Sequence, residues 1–280
     1  VTATLLLIAA ALLHAVWNNF ARKVSPSRRF YFRAELCMAL FTLPGWMWLP
    51  RVLQQLEPSE WALLPLTTLC QACYYSGLAR LYRAGDLSWS YPMLRTGPVV
   101  LLSAAALPFG NVRAAPLLGA VLLAVLGARA VSRKKHGSGA HPWGALLLAI
   151  FAVCGYTLCD ARLGPAFARA GYGVTLSTLC LVSLFSAGNS AWLFLFSRGA
   201  TDPVPWKASA LTSLGIWGSY ALILAAMTTP LPPHLVALFR LLGIPFTLLI
   251  ARLLLREPVG LRRALGSLAL AAAALLGKFA

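Results

Sequence analysis

Long uninterrupted apolar runs, divided by short connections rich in Pro, Gly and basic residues, constrain this chain more than any motif does. Each run is close to the ~20 residues that carry a helix across a bilayer. The runs are continuous, whereas a barrel strand would alternate apolar and polar residues, so the pattern predicts helices. Hydrophobic residues make up 59% of the 280 and charged residues 11%, with a mean hydropathy of +0.75. A soluble globule is typically ~45–50% apolar and ~25% charged, so a water-soluble enzyme and a disordered or fibrous chain are both excluded. Lipid offers no partner to backbone N–H and C=O groups, and helices satisfy those groups internally. The expected fold class is therefore an all-α membrane protein.

Ten spans are predicted, at residues 3–21, 31–49, 61–81, 88–108, 114–131, 143–160, 173–196, 208–228, 234–254 and 260–279. The longest hydrophilic stretch, 132–142 (SRKKHGSGAHP), divides them five and five. The expected organisation is a first five-helix unit over 1–131, a basic linker over 132–142 and a second five-helix unit over 143–280. The first run lacks a basic leading segment and is followed by further apolar sequence, so it reads as a span, not as a signal peptide.

The two groups share an internal order. Trp17 and Lys23 match Tyr156 and Arg162, an aromatic followed six residues later by a cation, at an offset of 139. Tyr75 and Arg95 match Tyr220 and Arg240 at an offset of 145, and Pro98 and Gly119 match Pro245 and Gly266 at 147. Conserved order with slowly drifting offsets reads as a duplication. Five is odd, so the second unit would cross the membrane in the opposite sense. The expected architecture is a 5+5 inverted repeat around a central cavity, whose halves can rock and expose a midplane site to each side in turn.

The formal net charge of +17 would suggest nucleic acid in a soluble protein, but the basic residues cluster between apolar runs, as positive-inside loops do. Seventeen of the 24 Lys and Arg residues fall in or beside odd-numbered connections. Those loops are expected on the cytoplasmic side, with both termini outside. The six Cys residues all lie in apolar runs, and Cys70 and Cys73 have no second pair with metal-ligand spacing, so neither a metal nor a cofactor is expected. The seven acids form no catalytic constellation, and no phosphate loop or nucleophile motif is present. An enzyme is not expected.

Polar residues inside spans carry the functional signal. Arg95 and Arg240 lie about six or seven residues into the fourth and ninth spans, ~10 Å below the interface at 1.5 Å per residue. Burying an Arg costs ~2.5–3.5 kcal/mol on insertion scales, so each needs a reason to be there. Either its guanidinium fork holds a carboxylate or phosphate, or it snorkels or pairs with an acid such as Glu35 or Asp160. His14 and Asn18 share a face of the first span beside Trp17, as solute or proton contacts or as helix glue. Gln71, Tyr75, Tyr91, Tyr156, Trp217 and Tyr220 complete the candidate substrate-binding set, because aromatics offer a flat apolar face with a polar tip. Trp46, Trp48, Trp61, Trp89, Trp143 and Trp206 sit near span ends as interfacial anchors. Gly119, Ala124 and Gly127 in the fifth span, and Gly266, Ser267 and Ala271 to Ala274 in the tenth, allow close approach, making these spans scaffold or homodimer-contact elements. Pro98, Pro108 and Pro245 can kink the fourth and ninth spans.

The run Ala11-Leu-Leu-His14-Ala-Val-Trp17-Asn18-Asn19 with Lys23 resembles the first helix of EamA-type transporters of the drug/metabolite transporter superfamily. So do Asp86-Leu-Ser-Trp-Ser-Tyr91-Pro92-Met-Leu-Arg95-Thr96-Gly-Pro98, and Leu254-Leu-Arg-Glu257-Pro258 with Gly266 beyond it. The first unit departs where Gly110-Asn111 stands in place of a common Glu. The resemblance spans the chain and implies ten helices, a central cavity and export or exchange of small metabolites. The expected function is secondary active or facilitative transport of solutes with an anionic or zwitterionic group, such as amino acids, in a bacterial inner membrane. The alternatives are efflux of lipophilic cations, which would favour a carboxylate in the first span, and flipping of a lipid headgroup. Expected partners are the small-molecule substrate and the bilayer.

Overall fold

The computed structural model describes residues 2–24, 27–84, 87–109, 112–132, 142–198, 206–253, 256 and 259–280. Asp86, Gly110, Asn111, most of the basic linker (133–141), Asp202, Leu254, Glu257 and Pro258 lie outside them. Among the described residues the structure is helical, with no strand. The helices are α1 (Thr2–Val24), α2 (Arg28–Phe41), α3 (Leu49–Leu53), α4 (Pro58–Ala84), α5 (Leu87–Ala106), α6 (Ala114–Val131), α7 (Trp143–Ala168), α8 (Gly173–Phe196), α9 (Trp206–Met227), α10 (Pro233–Arg240), α11 (Gly243–Leu253) and α12 (Leu261–Leu276).

Local chemistry sets several ends. The Ser27 hydroxyl caps α2 by accepting from Phe30 N at 3.0 Å. Pro58 opens α4, and the Glu60 carboxylate reaches back to accept from Glu57 N at 2.9 Å, satisfying an N–H that no helical carbonyl can reach. Gly171 and Gly173 take φ of 77° and 75° between α7 and α8, a conformation that strains any residue with a Cβ.

Two predicted spans are interrupted, each at a proline. The span expected over 31–49 stops as α2 at Phe41, where Pro44 cannot donate to Leu40; a 3-10 turn over Leu43–Met47 and the short α3 follow. The span expected over 234–254 divides after Arg240. Pro245 lacks the N–H that Leu241 O would receive, and the backbone tightens to bonds from Leu241 N to Leu238 O (3.0 Å), Leu242 N to Phe239 O (3.1 Å) and Ile244 N to Leu241 O (2.9 Å).

Six helical segments are long and apolar enough to cross a membrane: α1 through Asn19, α6, α7, α8, α9, and α10 with α11 taken together. Of the other four predicted spans, α2 and α12 have only 14 and 16 helical residues. The remaining two, α4 and α5, are long enough but turn Thr67, Thr68, Gln71 and Arg95 into the protein interior. Polarity is inverted relative to a soluble fold: Leu118, Leu122 and Leu126 of α6 and Leu261, Leu265, Leu268 and Leu275 of α12 face outward. Of the Trp anchors, Trp46, Trp61, Trp143 and Trp206 are exposed, whereas Trp89 is buried edge-on against Trp143, 4.9 Å between centroids.

Packing interleaves helices that precede residue 132 with helices that follow residue 142. The most extensive contacts are α4 with α7, α6 with α12, α1 with α9 and α2 with α8; α2 also meets α9, α4 meets α8, and α5 lies against both α7 and α10. The α6–α12 seam runs antiparallel, since Gly127 meets Gly266 while Gly119 meets Leu276. Cβ atoms would be intolerable at its centre: one on Gly127 would stand 2.7 Å from the Gly266 carbonyl, and one on Gly266 2.8 Å from the Gly127 carbonyl. The α2–α8 pair is antiparallel too, with Arg28 bonded to Phe196 O and Ser183 to Thr42 O.

Candidate functional site: a buried cavity with two guanidiniums

A cavity of about 660 Å³, counting its open mouth, lies where α1, α4, α5, α7, α9 and α10 converge. Helical spacing builds its walls. Leu7, Ala10, Ala11, His14 and Trp17 recur every three or four residues on α1, and Ile216, Ser219, Tyr220 and Ile223 do the same on α9. Gln71, Tyr74 and Tyr75 come from α4, Arg95 from α5, Tyr156 from α7 and Arg240 from α10. None of the lining residues is acidic.

The structure brings eight of the eleven predicted site residues to this wall: His14, Trp17, Gln71, Tyr75, Arg95, Tyr156, Tyr220 and Arg240. It places three elsewhere. Asn18 is buried beside α4, where its Oδ1 accepts from the Tyr82 hydroxyl. The Tyr91 ring is not among the lining residues and lies under the Arg95 guanidinium, 5.3 Å from Cζ to centroid. Trp217 packs against the apolar core and is not among the lining residues.

Arg240 and Arg95 are 9% and 7% exposed. Arg240 is the last residue of α10, where the partial negative charge of unsatisfied carbonyls favours a cation. Its Nη1 donates to Tyr156 OH at 3.0 Å and Thr157 Oγ1 at 3.1 Å, and its Cζ stands 5.0 Å from the Tyr156 centroid. Arg95 Nη2 contacts His14 Nε2. A guanidinium can only donate, so Nε2 accepts and the imidazole proton sits on Nδ1. Arg95 Nε is buried with no partner. Among the described residues, neither guanidinium has a carboxylate within 4.0 Å; the pairing of Arg95 or Arg240 with Glu35 or Asp160 weighed from the sequence does not occur. Glu35 lies with Asn189 and Tyr75, and Asp160 with Thr67 and Tyr220, so both acids already have neutral partners.

The remaining walls are aromatic and tightly placed. Trp17 Nε1 donates to Ser219 Oγ at 3.1 Å, and the His14 ring meets Trp17 edge-on at 4.6 Å. Tyr156 stands edge-on to both Tyr74 (6.0 Å) and Tyr220 (6.3 Å). Such a site can bind a small solute by pairing its anionic end with donors aimed from buried cations and its apolar part with rings.

Ser219 and Ile216 join the wall without having been singled out from the sequence, whereas Tyr74 was an aromatic candidate beside Tyr75. Asp160 and Asn189 also escaped assignment. An acid four residues after Tyr156, on the same face of an apolar helix, was the available signal.

Away from the apolar segments, Glu60 at the start of α4 and Arg169 after α7 bond at 2.5 Å. Burial alone would push the Glu60 carboxyl up. The Arg169 guanidinium, Glu57 N–H and the positive charges of Arg169 and Arg162 outweigh it and hold the group below the usual carboxylate range.

Fold and site together define a many-helix protein, with six segments able to cross a membrane, that holds a cationic, ring-lined cavity among its helices. No family model and no curated protein matches the chain. A solved structure described only as the crystal structure of a protein is 18% identical, with a TM-score of 0.65 over 98% of this chain and 96% of that one. At that identity the likeness shows a shared fold.

Proposed function

We propose that this protein is a ten-span transporter of small organic solutes bearing an anionic or zwitterionic group, working by alternating access in a bacterial inner membrane. The observation that carries the reading is the pair of buried guanidiniums at one cavity with no carboxylate in reach. Each isolated charge costs several kcal/mol unless something neutralises it, and a solute anion does so.

The packing supports a 5+5 inverted repeat. Exchanging the first five predicted spans for the last five maps the α4–α7 contact onto α9–α1, and α2–α9 onto α8–α4. The α2–α8 and α6–α12 pairs map onto themselves, and both run antiparallel, as equivalent helices of oppositely inserted units must. Arg95 then corresponds to Arg240: each reaches from the penultimate span of its unit to the first span of that unit, at His14 and Tyr156 respectively. The resemblance to EamA-type transporters agrees with this reading. A cavity wall without an acid disfavours lipophilic cations as cargo.

Uptake of labelled amino acids, monocarboxylates and dicarboxylates into liposomes containing the purified protein tests the reading. Anion or zwitterion uptake that Arg240→Gln abolishes is expected. Transport of cationic dyes alone, unaffected by either Arg95→Gln or Arg240→Gln, would overturn it.

A further inference from the structure

From Gln71 and Tyr220 of the cavity wall a chain of polar groups runs back into the protein. Asn189 Nδ2 donates to Glu35 Oε2 at 3.2 Å and to Gln71 Oε1 at 2.8 Å. Gln71 Nε2 donates onward to Tyr220 OH at 2.6 Å and Thr67 Oγ1 at 3.4 Å. Both hydroxyls then donate to one carboxylate, Thr67 to Asp160 Oδ1 at 2.8 Å and Tyr220 to Oδ2 at 2.6 Å. Every link is polarised in the direction that an ionised Asp160 requires.

Asp160 is fully buried and, among the described residues, has no basic group within 4.0 Å. The titratable groups facing it are Tyr156 and Cys159 of its own helix, Cys70 of α4, Tyr220 of α9 and Arg240 of α10. No charged residue occurs in α8, and the one in α5 is Arg95, engaged by His14. Among the described residues, Arg240 is the cavity-wall cation placed beside this network, its Nη1 donating to Thr157 Oγ1 three residues before Asp160 on α7.

We propose that Asp160 is a proton-binding site coupled to the cavity, taking up one proton when an anion settles on Arg240. This rests on the cavity being an anion site. An anion beside the guanidinium cancels the positive charge one helical turn from Asp160, and the neutral acid is then the cheaper form in a low-dielectric interior. The proton comes from water at the cavity mouth and bonds to Oδ2, with no other bond made or broken. The Tyr220 hydroxyl turns from donor to acceptor towards Asp160. Its own hydrogen is thereby released into the cavity, where it can bond the anion. One negative and one positive charge enter together, so the buried site carries the same net charge empty and loaded. Coupling is reciprocal, and a protonated Asp160 strengthens anion binding by the same factor. Glu35, at the far end of the chain, meets Tyr75 and Asn189 but no guanidinium, so an anion leaves its surroundings unaltered.

The test adds benzoate to the purified protein in weak buffer with a pH-indicator dye, alongside infrared spectra of the carboxyl C=O stretch over a pH series. Wild type should take up about one proton per benzoate bound, with affinity falling about tenfold per pH unit above the transition. Asp160→Asn should bind benzoate without proton uptake and without that pH dependence, whereas Glu35→Gln should behave as wild type. Should Asp160→Asn fail to fold, Tyr220→Phe keeps the carboxyl but must displace the midpoint of its infrared band; an unmoved midpoint overturns the inference. So does undiminished proton uptake in Asp160→Asn. A wild type that binds no benzoate removes the anion reading and the coupling with it, while a protonated-carboxyl band abolished by Asp160→Asn still establishes the proton site. A band that this substitution leaves intact overturns the proton site whatever the cavity binds.

Discussion

Replacing Arg95 by Gln separates anchoring from packing, because the two roles predict opposite changes in stability. The guanidinium is 7% exposed, its Nε has no partner, and its neighbours are the neutral His14 and Tyr91. What the side chain gains in the empty protein is one charged hydrogen bond, ~1.5–3 kcal/mol, and a cation–π contact of ~0.5–2 kcal/mol. Against this stand ~2.5–3.5 kcal/mol for the buried charge and ~1–3 kcal/mol for the unpaired N–H. The balance is near zero or unfavourable, so Arg95→Gln should leave the thermal unfolding midpoint unchanged or raise it by a few degrees. Anion binding should move the other way. Losing a charge-assisted bond worth ~1.5–3 kcal/mol lowers affinity about 10- to 150-fold. Arg95→Lys, which keeps charge but not the fork, should fall between the two. Titration of a labelled monocarboxylate and thermal unfolding on the same preparations check both limbs. A variant that unfolds earlier yet binds as wild type would make Arg95 a helix staple and refute the reasoning.

Three further outcomes are expected. Gly127→Ala places a Cβ 2.7 Å from the Gly266 carbonyl and should destabilise by about 1–3 kcal/mol, read as earlier thermal unfolding. Pro245→Ala restores the donor missing opposite Leu241; α10 and α11 should join, Arg240 should leave Tyr156, and anion affinity should drop without loss of thermal stability. The Glu60 carboxyl is held below its ordinary range, so the stability it contributes is present above the ordinary Glu range and lost as pH falls through the lowered value. Unfolding midpoints followed from neutral to acid pH should lose part of their acid dependence in Glu60→Gln.

How much of this could be read from residues alone follows from the range of the forces involved. Apolar runs report directly on helices, and the predicted 114–131 and 173–196 coincide with α6 and α8. Proline marked both interrupted spans, but composition cannot tell a kink from a break: Pro98 leaves α5 continuous, while Pro44 ends α2 and Pro245 parts α10 from α11. The short α2 and α12, and the inward Gln71 and Arg95, are why six segments rather than ten meet the length and apolarity that a crossing requires. The site was legible as a list of types, since an Arg or Tyr deep in an apolar run must face protein. Its pairings were not. That Asp160 is held by Thr67 and Tyr220, and Arg95 by His14, depends on contacts between residues 60 to 93 positions apart, which periodicity along one helix does not encode.

The interleaved contacts bear on what can exist by itself. Because α4 finds its most extensive neighbour in α7, and α1 in α9, a fragment ending near residue 131 would leave the inward faces of both helices without cover. Severing the chain between 132 and 142 should therefore yield two pieces that are lost to degradation when expressed singly and recovered when expressed together, the Gly127–Gly266 seam serving as the latch.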